Sequence, residues 1–218
     1  MAELLESLPV LHRLALAYAP GGMRQATLAL LALDARLAET VRSASEPMLA
    51  QIRLAWWRDM LARDAADRPA GEPLLAALGP WQGHEAALSA LVDGWEELVG
   101  LEPLSEQAMR GFCAGRGAAF AALAGIGGHL GAADKARAAG EGWALADLAA
   151  RLDDAGEREA ALSLLRAHDW RRIALPRDLR PIAVLHGLAA RDARAGRGFA
   201  QPSPGMLLAA LRIGLFGR

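Results

Sequence analysis

The stretch SEPMLAQIRLAWWRD, residues 45–59, decides the fold. Ser45 is a good N-cap residue, and the proline two positions later is well tolerated in the first turn of a helix. Met48, Ile52 and Trp56 recur every fourth residue and form one stripe of a helix. The pattern predicts a helix from Ser45 to about residue 66.

A second stripe on this predicted helix places Arg53 between Leu49 and Trp57. An arginine with apolar neighbours runs along the surface, stacks on an aromatic ring or points into a pocket toward an anion. Tryptophans at helical spacing are more often core residues than ligand contacts. We therefore expect Trp56 or Trp57 to be buried, and Arg53 to face the interior or to stack on a ring.

The rest of the chain is also typical of helix, because Ala, Leu, Arg and Glu dominate and no strand pattern is persuasive. Prolines and glycines divide it into about ten helices. Besides the helix above, they are expected at 9–18, 23–41, 74–78, 84–99, 105–130, 132–154, 157–168 and 178–195, with a last one ending at 216. The sequence predicts an all-α, single-domain helical bundle over residues 1–218. Glycines in the helix at 105–130 indicate either close packing or a bend beside a cavity.

Composition excludes several classes of protein. With 218 residues, 53% of them hydrophobic, and a single cysteine, the chain is neither disordered nor a disulfide-stapled secreted domain. The longest stretch without charge, 117–133, is short and weak for a membrane span. Glu3 and Glu6 stand where a signal peptide would be basic, so a cytoplasmic protein is expected. A net charge of −1 gives no case for nucleic-acid binding.

The C-terminal part is basic. Ten arginines and three acids lie between Arg166 and Arg218. The bias reflects either genome composition or a surface that faces something anionic. The last predicted helix is apolar nearly all round, so it is either buried on all sides or lies against another apolar surface. The second alternative predicts peripheral contact with an anionic membrane.

Asp34 is the most conspicuous candidate for chemistry, because it follows six apolar residues. Such a carboxylate must find water, a cation or a donor, and Arg36 or Arg42 would serve at a helix surface. Position 38, one turn on, is Ala38 rather than a second acid that could help to hold Mg²⁺. Common metal-ligand spacings and phosphate-binding loops are absent from the sequence.

Residues 19–34 and 45–59, with weaker echoes at 124–127 and 175–178, resemble the squalene/phytoene synthase family. More narrowly, they resemble a divergent branch that includes a mitochondrial complex I assembly factor. The resemblance implies an isoprenoid-synthase fold with a central cavity. In active members, two acidic helices face each other across that cavity and bind Mg²⁺ and two prenyl diphosphates.

The resemblance also implies the site residues. Asp34 would begin the first acidic motif, in which Ala38 replaces the second acid, and the second motif would fall in residues 143–154. Substrate-binding residues would be Arg53, Trp57, Asp147 and Arg151, and metal ligands would be Asp34 and Asp153.

Departure of a diphosphate needs several metal ions held by several carboxylates. The main interpretation is therefore a catalytically degenerate member without a cofactor. It would bind a lipid or isoprenoid, or act as an assembly factor for a protein partner. One alternative is an active Mg²⁺-dependent prenyltransferase of isoprenoid biosynthesis. A third is a helical interaction domain without a ligand.

Overall fold

The structure is a computed structural model that describes residues 2–100, 102–171, 173–195 and 204–217. These residues form eleven α-helices and no strand, which confirms the all-α prediction. The helices are α1 (Ala2–Glu6), α2 (Val10–Leu16), α3 (Gly21–Ser43), α4 (Pro47–Ala62), α5 (Pro73–Ala77), α6 (Glu85–Glu96), α7 (Glu106–Ile126), α8 (Ala133–Arg151), α9 (Ala155–Ala167), α10 (Arg180–Arg194) and α11 (Pro204–Phe216).

The long helices α3, α7 and α8 hold the centre of the bundle. Helix α7 packs against α6 on one side and against α8 on the other, while α3 contacts α4, α5, α6 and α7. Helix α10 covers α8, and α11 packs on α10 and α2. The core is built largely of leucine and alanine, which suits closely packed helices.

Close approach explains the glycines where α6 crosses α7. A Cβ added at Gly94 would lie 3.2 Å from the carbonyl oxygen of Phe112. A Cβ at Gly115 would collide with the carbonyl oxygen of Ala90. The close-packing interpretation of the glycine-rich helix therefore holds at this crossing.

Helix α4 departs from the prediction at its start. It begins at Pro47, and the N-cap residue is Glu46 rather than Ser45. The expected burial of a tryptophan is confirmed, since Trp57 is 4% exposed, whereas Trp56 is 39% exposed. The two rings meet edge to face, with centroids 5.0 Å apart.

The prediction that Arg53 faces the interior or stacks on a ring is wrong. Its side chain is exposed, and no ring contact of Arg53 occurs among the described residues. The reason is the position of the buried stripe, which is formed by Ala50, Leu54, Trp57 and Leu61. Arg53 lies beside that stripe rather than on it.

Helix α11 is buried on one face only. Met206, Ala210 and Ile213 are buried against the bundle. Its outer face consists of exposed apolar side chains, and we call it the α11 outer face: Leu207, Leu208, Leu211, Leu215 and Phe216. Burial of this helix on all sides is therefore excluded.

Within the described ranges, no helix combines the length and the apolar character needed to cross a membrane.

Candidate functional site

The guanidinium of Arg116 occupies the centre of the bundle. Arg116 projects from α7 and is 2% exposed. Its Nε and Nη2 atoms donate to Oδ1 and Oδ2 of Asp34 on α3, each at 2.9 Å. This two-bond geometry between a guanidinium and a carboxylate is stronger and more directional than a single contact.

The same guanidinium also binds the second acidic helix. Nη1 of Arg116 donates to Oδ2 of Asp147 on α8 at 2.9 Å. Oδ1 of Asp147 accepts a hydrogen bond of 2.7 Å from Nε of Arg151, one turn further along α8. Two carboxylates and two guanidiniums thus alternate, and their formal charges cancel. We call Asp34, Arg116, Asp147 and Arg151 the central network.

Asp34 receives a third donor from α6. The indole Nε1 of Trp95 donates to Oδ1 of Asp34 at 2.9 Å. Asp34 is 2% exposed, so its alternative as a surface carboxylate beside Arg36 or Arg42 is wrong. Burial of a carboxylate is tolerated here because both of its oxygens accept hydrogen bonds from charged or polar donors.

Three aromatic rings enclose the Arg116 guanidinium. Its Cζ atom lies 4.2 Å from the ring centroid of Trp143, 4.6 Å from that of Phe112 and 5.1 Å from that of Trp95. Phe120 in turn stacks on Trp143, with the two ring planes 4° apart. Cation–π attraction gains strength away from water, so the rings hold the cation in the interior.

His12 of α2 borders the central network. It is 4% exposed and meets Trp143 edge to face, with ring centroids 5.2 Å apart. Burial lowers the pKa of His12 to about 4, so the imidazole is neutral at pH 7. Burial alone would raise the pKa of Asp147, but Arg116 and Arg151 outweigh it and hold that pKa below its usual value.

A small pocket remains beside the central network. Its volume is about 210 Å³, and His12, Asp34, Arg116 and Arg151 contribute to its lining. Ligand pockets usually measure about 300–1,000 Å³, so the pocket is small for a prenyl substrate. Among the described residues, no group of three or more His, Cys, Asp or Glu side chains is arranged to hold a metal ion.

The structure brings together three of the six predicted site residues. Asp34, Asp147 and Arg151 meet in the central network. Asp153 is exposed beyond the end of α8 and does not line the pocket beside Asp34, so the two predicted metal ligands do not share that pocket.

The two predicted α4 residues stay apart from the network as well. Arg53 is exposed on the outer face of the helix, and Trp57 is packed in the core. Neither lines the pocket beside Asp34. A ligand role for Arg53 would need a site on the outside of α4.

Sequence reasoning missed Arg116, Trp95 and His12. A signal for Arg116 was present, because it stands between Gly115 and Gly117 in a helix of small and apolar residues. A buried cation needs an anion, and Asp34 was already singled out as a carboxylate in an apolar setting. No comparable signal marks Trp95 or His12.

Comparison with known proteins supports the family expected from the motifs. The family model described as squalene/phytoene synthase matches residues 12–180, well over half of the chain. The match includes every residue of the central network. Neither a curated protein nor a solved structure matches at a significant level. Because the family model covers most of the sequence and the fold is all-α, the chain belongs to the squalene/phytoene synthase family.

Proposed function

We propose that this chain is a catalytically degenerate member of its family that works by binding rather than by prenyl transfer. The observation that carries the proposal is the contact of Arg116 with both Asp34 and Asp147. In the active members that the sequence resembles, carboxylates on two facing helices hold Mg²⁺. Here the carboxylates of α3 and α8 are already neutralised by a guanidinium.

Recruitment of Mg²⁺ to these carboxylates is unfavourable for a simple reason. The ion would have to displace Arg116, which would then be a buried cation without a partner. Breaking a buried ion pair in this way costs about 3–5 kcal/mol. The residue at position 38, Ala38, supplies no further carboxylate to compensate for that cost.

The binding role that we propose involves a lipid or isoprenoid at a membrane surface, or assembly with a protein partner. Support comes from the α11 outer face and from the arginines of the C-terminal part. Apolar side chains of this kind enter the boundary of a bilayer, while arginines contact anionic headgroups. We propose a cytoplasmic protein that touches anionic membranes peripherally and does not bind nucleic acid.

One observation favours the alternative of an active, Mg²⁺-dependent prenyltransferase. Asp34 and Asp147 lie on facing helices and meet the same guanidinium, next to a pocket. If Arg116 turned toward a bound diphosphate, both carboxylates would be released for metal ions. The two proposals therefore differ in whether Arg116 leaves its partners when substrate is present.

Turnover decides between them. Purified protein is incubated with farnesyl or geranylgeranyl diphosphate and Mg²⁺, and both diphosphate release and prenyl products are measured. We expect no enzymatic turnover. The informative variant is Asp153→Asn, because this side chain is exposed and lies outside the central network, so the substitution leaves the network intact.

Formation of a condensed prenyl product by the wild-type chain would overturn the degenerate assignment. Loss of that product in Asp153→Asn, with unchanged folding, would further identify Asp153 as a metal ligand. A matched Asp64→Asn variant, altered at an exposed carboxylate before Ala65, controls for the change of charge.

A further inference from the structure

A second pocket lies between α10 and α11, away from the central network. Its volume is about 640 Å³, within the usual range for ligand pockets. Much of the lining is apolar and comes from both helices and from the segment before α10: Ile173, Ala183, Gly187, Ala190, Ile213 and Phe216. Gly187 lets the helices approach, since a Cβ there would lie 2.5 Å from Cδ1 of Ile213. We call this cavity the α10–α11 pocket.

Arginines give the α10–α11 pocket a positive side. Arg171, Arg194 and Arg212 all line it, and no acidic residue does so within the described ranges. Arg171 pairs with Asp169 at 2.6 Å, and Arg194 donates to the carbonyl oxygen of Trp170 at 3.0 Å. Arg212 is exposed and forms no ion pair with any described residue. The cations around this pocket thus exceed the anions near it.

His186 adds a polar group to the wall of the same pocket. It is 5% exposed and stacks on Trp170, with ring centroids 5.5 Å apart. Its ring lies close to the backbone of Arg171 and Ala139, and both contacts favour the protonated form. Burial lowers the pKa of His186 to about 4, so the ring is neutral at pH 7. The neutral imidazole therefore adds no charge to the pocket wall.

We propose that the α10–α11 pocket binds one anionic amphiphile, with a phosphate or carboxylate head at the arginines and a hydrocarbon chain along the apolar wall. A purely polar anion would leave the apolar wall uncovered, and a neutral hydrocarbon would leave Arg212 without a counter-charge. The inference rests on the proposed binding function and names the ligand class and its site. Phe216 lines the pocket and also belongs to the α11 outer face, so the mouth adjoins the surface proposed to meet a membrane.

The test uses the full chain and decyl phosphate, kept below its micelle concentration, in titration calorimetry. Inorganic phosphate and decanol serve as probes of the head and the chain alone. We expect one-to-one binding of decyl phosphate at least about tenfold tighter than binding of either partial ligand. Comparable affinity for inorganic phosphate would overturn the proposal, because the apolar wall would then contribute nothing.

Two variants locate the site. Arg212→Glu is expected to weaken decyl phosphate binding at least about tenfold, since it reverses a charge at the pocket. Arg63→Glu makes the same change of net charge on an exposed side chain after α4, and its affinity should stay within about twofold of wild type. If both variants weakened decyl phosphate binding equally, the effect would come from net charge alone, and the assignment of binding to this pocket would be wrong.

A third variant, Ala190→Leu, fills the pocket from α10, where Ala190 is buried. If circular dichroism shows that it folds, it should abolish binding, and unchanged affinity would overturn the proposal. If it does not fold, the Arg212 and Arg63 pair decides by itself, because both side chains are exposed.

Vesicles distinguish the two sources of such a ligand. If phosphatidylglycerol vesicles compete with decyl phosphate and phosphatidylcholine vesicles do not, the natural ligand is a membrane lipid. If neither kind of vesicle competes, the natural ligand is a free amphiphile. Turnover of a prenyl diphosphate would refute the degenerate assignment and leave this site standing, whereas failure to bind decyl phosphate would refute the site alone.

Discussion

The central network and the α10–α11 pocket both place arginines beside apolar or aromatic side chains, but they differ in whether a carboxylate neutralises the positive charge. At the centre, Arg116 is 2% exposed and donates three hydrogen bonds to two carboxylates. At the α10–α11 pocket, Arg212 is exposed and has no acidic partner in the described part of the chain. The difference separates an arginine that holds helices together from one that remains available to a ligand.

Removal of Arg116 should have the largest effect, and it tests whether this buried arginine holds the helices together. Arg116→Met keeps much of the length and apolar character of the side chain but leaves Asp34 and Asp147 without their shared donor. We expect the free energy of unfolding to fall by about 3–5 kcal/mol, because buried carboxylates would lose their counter-charge. Urea denaturation followed by circular dichroism measures it.

Arg63→Met is the matched surface variant and should change the free energy of unfolding by less than about 0.5 kcal/mol. Similar small losses in both variants would show that the central network contributes little to stability. Buried and exposed arginines would then not differ in their contribution to stability.

The pH dependence of stability compares the two regions directly, since each contains a histidine with a pKa of about 4. His12 faces Asp34, Asp147, Arg116 and Arg151 of the central network. Its native pKa is below the unfolded value of 6.5, so the unfolded chain binds the proton first as the pH falls. Stability is complete above pH 6.5 and is lost down to about pH 4, by about 3 kcal/mol for such a residue.

His12→Gln and His186→Gln should each flatten this pH dependence, because each removes one group that titrates only in the unfolded chain. Denaturant midpoints at pH 7 and pH 4.5 measure the change. Asp147 does not confuse the result, since its pKa is lowered from 3.8 and its titration lies below this window. A variant with the wild-type pH dependence would show that its histidine is not buried in the neutral form.

Loss of the Trp95 indole N–H should have a moderate effect. Trp95→Phe keeps an aromatic ring near Phe112, which now lies edge to face at 4.8 Å, but removes a hydrogen bond to Asp34. We expect a loss of about 1.5–3 kcal/mol, typical of hydrogen bonds to charged groups. Trp56→Phe, on the half-exposed side of α4, is the control and should lose much less. Equal losses would mean that the indole N–H is not important to Asp34.

The sequence was most informative where local pattern decides structure. The leucine-rich pattern predicted α3 and singled out Asp34, and the four-residue spacing of Asp147 and Arg151 is a direct contact on α8. Arg116 meets Asp34 across 82 positions of the chain, and no helical periodicity encodes a pairing at that distance. The partner of a buried charge thus depended on helix packing.

Arg53 is a residue whose environment the local sequence pattern predicted wrongly. Its neighbours in the sequence are apolar, which suggested an interior position, but several of those neighbours are themselves exposed: Met48, Leu49, Ile52 and Trp56. Helix α4 buries the stripe of Ala50, Leu54, Trp57 and Leu61, together with Met60. An apolar stripe therefore predicted a helix correctly without showing which of its faces would be covered.

The smallest expected effect concerns Arg212 and the membrane. Arg212→Ala should leave the free energy of unfolding nearly unchanged, since the exposed side chain holds no described partner. The free energy of binding to phosphatidylglycerol vesicles, measured by co-sedimentation at low salt, should weaken by about 1 kcal/mol, roughly fivefold in affinity.

Leu208→Ser, on the α11 outer face, should weaken co-sedimentation at low and moderate salt alike, because its contribution is apolar rather than electrostatic. The two variants thus separate the charged and apolar parts of one surface. Equal and negligible binding of the wild-type chain to anionic and neutral vesicles would remove the membrane from the proposal and leave α11 as a contact for a protein partner.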